Sequence, residues 1–145
     1  MTEPMQLQTK SGELERMIRT AGVDLLDALS ELVRSIPAAP SGPQQLARAV
    51  GVDKVLASRV LKALRTSDPM GVVIHLPGPD PLRRLIDGAE AAGVPAGPVD
   101  AARAAVDAFE HLIRVEVGDR SSLDTIVSAW VPEARREFEL RRKQA

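Results

Sequence analysis

Apolar residues recur at spacings of three and four from Leu14 through Ile18, Ala21, Leu25, Leu29 and Leu32 to Ile36, which predicts one long amphipathic helix over residues 12–36. Met17, Leu26 and Val33 widen this stripe beyond a two-stranded seam, so part of the helix is expected to pack into its own domain and part against another surface. Gly22, in the middle, offers a point at which the helix can break. Residues 1–11 show no apolar period and read as a loose tail. The stretch 37–43, rich in Pro, Ala, Ser and Gly, stops the helix, and Pro43 is placed to open the next one.

Two shorter helices, 43–50 and 53–66, follow around a turn at Gly51. Leu46, Val50, Val52, Val60 and Leu61 are expected to face inward, with Lys54, Val55, Ser58, Arg59 and Lys62 outside. Ala47 must be small where the second helix crosses the first, Gly51 can take the left-handed conformation that ends the first helix, and Asp53 can cap the second. Ser67-Asp68-Pro69 ends that helix. The run Met70-Gly71-Val72-Val73-Ile74-His75-Leu76 reads as a β-strand, but the prolines at 77, 79 and 81 forbid a paired return strand.

Three more helices complete the chain. Asp80-Pro81 combines a capping side chain with a proline at the first helical position and starts a helix to about Ala92, ended by Gly93. Gly97-Pro98 opens another, with Val99, Ala102, Val106, Phe109 and Ile113 on one stripe, closing at Gly118. Ser121-Ser122-Leu123-Asp124 resembles a capping box with Asp in place of Glu and starts a helix toward Trp130; Pro132 then begins or kinks into a charged helix over 133–145.

The segment Leu46-Ala47-x-x-x-Gly51-Val52, followed by Ser58-Arg59-Val60-Leu61, resembles the helix-turn-helix of lactose-repressor-type regulators. Set behind a long first helix, it is also similar to the winged-helix DNA-binding domains of IclR- and MarR-like bacterial transcriptional regulators. The resemblance covers about twenty residues directly and roughly residues 25–76 with the surrounding layout. It implies that residues 53–65 lie in the major groove of DNA. With one strand and no return, the wing is expected to be degenerate or missing. Val55 and Leu56 fall in the expected exposed first turn of the reading helix, where base edges call for polar side chains, although the valine can touch a thymine methyl.

With 145 residues, 44% hydrophobic and 27% charged, the chain suits one compact domain. Aromatics are confined to Phe109, Trp130 and Phe138, so the core must be built from Leu, Val, Ile and Ala, which favours interdigitating helices. The expected fold is all-α: a flexible tail (1–11), a helix-turn-helix unit with a degenerate wing (12–78) and a helical C-terminal region (79–145) packed on it. No apolar run approaches the roughly twenty residues of a membrane span, and residues 1–12 lack the basic start and apolar centre of a signal peptide. With no cysteine there is neither a disulfide nor a thiolate metal site, and the expected location is a reducing cytoplasm.

The net charge of −1 hides a marked asymmetry. Between residues 44 and 66, Arg48, Lys54, Arg59, Lys62 and Arg65 face Asp53 alone, whereas residues 67–132 hold five basic and ten acidic residues. One basic face on an acidic body lets a protein dock on DNA in a single orientation. Lys54, Ser58 and Arg59 are the expected base or phosphate contacts, with Arg48, Lys62 and Arg65 on phosphates and Val55 beside them. The expected partner is double-stranded DNA, read by a homodimer on half-sites about 34 Å apart. The stripes of the first helix and of the helix over 98–117 carry more apolar surface than a small domain covers, so either or both are expected in the dimer interface. The alternative is a protein-interaction module on the same two helices, with Val55 and Leu56 as apolar anchors for a partner helix.

Other chemistry finds no anchor. His75 and His111 belong to no His-x-x-x-His pair, which argues against a metal site. Neither Gly-x-Ser-x-Gly nor a phosphate-cradling Gly-rich loop occurs, so no enzyme or cofactor is indicated, and a small-molecule effector is left as a possible partner that the sequence does not name. Asp100, Asp107 and Glu110 read as a solvated helix face. Trp130 reads as a core plug or as part of a dimer or ligand contact, and the terminal Arg135, Arg136, Arg141, Arg142 and Lys143 alternate with glutamates as a self-paired face.

Overall fold

Seven α-helices and no strand make up residues 3–130, the part of the chain described by a computed structural model. They are α1 (Glu3–Arg34), α2 (Pro43–Val50), α3 (Lys54–Leu64), α4 (Pro69–His75), α5 (Pro79–Ala91), α6 (Ala96–Leu112) and α7 (Arg120–Trp130), with a π-helical turn, Ile113–Val117, joining α6 to α7. The fold is all-α, as the periodicity predicts. The charged helix expected over 133–145 lies outside the described residues, as does the side chain of Trp130.

α1 starts at Glu3, so residues expected as a tail extend the helix. It also passes through Gly22 unbroken. A β-carbon at Gly22 would collide with the Pro69 carbonyl at the start of α4, so this glycine marks a close crossing of two helices. On the inner face of α1, Ile18, Leu25, Leu29 and Leu32 are fully buried.

α1 packs most extensively on α6, whose stripe Val99, Ala102, Val106 and Phe109 is also fully buried. The centres of the two apolar seams are therefore covered within one chain, while Met17 on α1 is 41% exposed.

The largest departure from expectation is α4. The run 70–76, expected as the strand of a wing, is a short helix lying between α1, α3 and α7. Every residue from Met70 to Pro77 is buried. Its start is fixed by Asp68, whose carboxylate accepts the Met70 N–H at 2.9 Å, and by Pro69 in the first turn. A helix buried on all sides needs no polar face, so a continuous apolar run serves it as well as it would a buried strand. The wing is absent, and His75 sits buried on this helix while His111 is exposed on α6.

α5 and α6 run antiparallel and are clamped by two arginines. Arg83 donates to Asp107 at 2.9 Å and to both oxygens of Glu110 at 3.0 and 3.1 Å; Arg103 donates to Asp87 at 2.9 Å and Glu90 at 3.2 Å. These carboxylates hold both guanidinium groups above their ordinary pKa. Asp107 and Glu110 thus join two helices, where a merely solvated face was expected. After α6 the Gly118 N–H returns to the Ile113 carbonyl at 2.6 Å, with Gly118 at φ +106°, and Asp119 caps α7 by accepting the Ser122 N–H at 2.7 Å. The cap is Asp119, two residues before the expected Ser121.

Candidate nucleic-acid interface

The chemistry of the α2–α3 turn begins with backbone geometry. Gly51 adopts φ +69°, ψ +35°, a left-handed conformation open to glycine at little cost. Its N–H and that of Val52 both reach the Ala47 carbonyl, at 2.9 and 3.1 Å, closing the end of α2. Asp53 then sits in extended geometry and accepts the Leu56 N–H at 2.7 Å, which starts α3. Three residues therefore separate the helices, as a helix-turn-helix requires. Ala47 is half-buried against the core, in keeping with its expected place near the crossing.

The phase of α3 follows from that start. Leu56, Ala57, Val60 and Ala63 are buried, while Lys54, Val55, Ser58, Arg59 and Lys62 form one exposed stripe, continued by Arg65 just past the helix. Arg48 is exposed on α2. Every basic residue expected on the interface is thus at the surface. Val55, 69% exposed, stands within the stripe.

Leu56 requires a correction. Expected beside Val55 on the outer face, it is only 6% exposed and belongs to the core. Residue 56 lies four before Val60 on the same side of the helix, so the side that buries Val60 also takes Leu56. An apolar anchor pair of Val55 and Leu56 does not exist.

Charge is available at four of these basic positions. Arg48, Lys54, Arg59 and Arg65 make no ion pair or side-chain hydrogen bond among the described residues, in contrast to Arg19, Arg34, Arg83, Arg103 and Arg114, each of which meets a carboxylate. Unpaired cations exposed on α2 and along α3 can meet an anionic surface without first breaking internal bridges.

Beside the turn lies a cleft of about 430 Å³. Gly51, Val52, Asp53 and Leu56 line one side; Arg84, Asp87 and Gly88 of α5 line the other. A glycine inside the otherwise regular α5 is the sequence signal for such a close approach. Comparison with protein-family models, curated proteins and solved structures found no match to this chain.

Proposed function

We propose that the protein binds double-stranded DNA through α3 and acts as a transcriptional regulator. The observation that carries this reading is the exposed stripe Lys54–Ser58–Arg59–Arg65, whose cations have no carboxylate partner, on a helix launched by a left-handed glycine turn and an aspartate cap. In this reading Lys54, Ser58 and Arg59 face base edges or phosphates, Arg48, Lys62 and Arg65 meet phosphates, and Val55 lies against a thymine methyl. With no wing, readout rests on α3 and its neighbours.

A chain that carries one recognition helix binds a single half-site weakly, so pairing of two chains on DNA belongs to the proposal. Ile18, Leu25, Val106 and Phe109 are fully buried within one chain, so pairing through α1 or α6 would rest on their exposed faces, where Met17 stands. The partner-helix alternative loses its apolar pair with the burial of Leu56.

The test is binding of the full chain to random-sequence duplex DNA at two salt concentrations, followed by selection of bound sequences. Phosphate contacts predict a steep fall in affinity with salt. Absence of binding at low salt, or binding that ignores salt, overturns the reading.

A further inference from the structure

Gly88 lies where α5 meets the end of α2, because a β-carbon at this position would overlap the Val50 carbonyl. Residue 84 is one turn earlier on the same side of α5. The contact at Gly88 therefore places Arg84 on the wall of the cleft, facing the turn formed by Gly51, Val52 and Asp53.

The charge of Arg84 is uncommitted. Its neighbour Arg83 is held by Asp80, Asp107 and Glu110. Asp87, three residues on and the natural partner of Arg84 along the helix, is taken by Arg103 of α6 at 2.9 Å. Arg84 is exposed and makes no hydrogen bond or ion pair among the described residues. The α5–α6 clamps thus take Asp87, and Asp53 across the cleft accepts the Leu56 N–H, so the Arg84 guanidinium stands beside the turn without a carboxylate partner.

Resting on the reading of α3 as the recognition helix, we infer that Arg84 grips a DNA backbone phosphate, so that α5 belongs to the interface. A recognition helix that enters the major groove by its N-terminal residues brings the flanking sugar–phosphate strand up to the turn that precedes it. A guanidinium there can donate two parallel N–H bonds to phosphate oxygens. Such a contact fixes position without reading sequence, so it contributes alike to all DNA sequences.

The experiment compares the wild type with Arg84→Gln, Arg84→Lys and Arg59→Ala on random-sequence and selected duplex DNA across a salt series, with thermal melting of each. Loss of one phosphate contact lowers the slope of log affinity against log salt by about 0.9. That loss is expected for Arg84→Gln on both DNAs, with the slope kept in Arg84→Lys and wild-type melting in both variants. An unchanged slope in Arg84→Gln while Arg59→Ala is defective overturns the inference and leaves the reading of α3 intact. A fall in melting temperature for Arg84→Gln makes Arg84 structural and also overturns it. If the wild type does not bind duplex DNA, the reading of α3 fails and the inference falls with it.

Discussion

The α-carbon of Gly88 sits so close to the carbonyl oxygen of Val50 that no side chain fits between them. Val50 is the last residue of α2 and Gly88 lies well inside α5, so this one contact braces the α2–α3 turn against the C-terminal half of the fold. The turn thereby gains a support other than its own hydrogen bonds.

Gly88→Ala should destabilise the protein by about 1–3 kcal/mol, the usual range for forcing an extra methyl into a packed contact. The sign is informative, because alanine in an unobstructed helix interior is better than glycine by about 1 kcal/mol. Gly12, in α1, has nothing within 4 Å of a would-be β-carbon, so Gly12→Ala should leave stability unchanged or raise it. Denaturant unfolding of the two variants checks the pair; equal effects would show that α5 and α2 do not meet at Gly88.

Arg59→Ala should abolish sequence-specific DNA binding while leaving helicity and melting temperature unchanged. The side chain is exposed and pairs with no carboxylate, so its removal takes nothing from the fold. Circular dichroism and a mobility-shift titration check this together. Parallel loss of stability and binding would assign Arg59 a structural role.

Acid should loosen the α5–α6 pair. The Glu110 carboxyl is held below its ordinary pKa of 4.5 chiefly by hydrogen bonds from Arg83, against the opposing effect of partial burial, with the charges of Arg114 and Arg83 assisting. A carboxyl whose pKa is lowered by folding stabilises the native state above its unfolded pKa, and that contribution is lost as pH falls through the folded value. Melting temperature should therefore fall below about pH 4.5. Glu110→Gln should melt lower at neutral pH and depend less on acid. An acid limb identical to wild type would remove Glu110 from that account.

Local chemistry made the turn legible. Gly51 and Asp53 carry their conformations in their own side chains, or in the lack of one, and the structure places both as their capping roles demand. The inward position of Leu56 was legible too, since it shares a helix face with Val60. Residues 70–76 were not, because a mostly apolar run of seven residues fits a buried strand and a buried helix alike, and the choice was made by Asp68 and by packing between α1 and α3. Arg84 was out of reach for a different reason: its place beside the turn depends on Gly88 meeting Val50, and its free charge depends on Arg103 taking Asp87. Both are contacts between helices distant in sequence.

The same distinction decides what α1 does. Read as a sequence, Leu14 and Ile18 lie on a seam that a second copy could cover, and charged residues there would release folded monomers. In the structure Ile18 is fully buried and Leu14 packs against the core of its own chain. An unpaired carboxylate at a fully buried site costs at least about 3 kcal/mol, a large share of the stability of a domain of this size. Leu14→Glu with Ile18→Glu should therefore unfold the chain, seen as loss of cooperative melting. Met17→Glu, one residue away on an outer face 41% exposed, should leave melting unchanged. A folded, monomeric double variant from a dimeric wild type would overturn this and return α1 to the interface between copies.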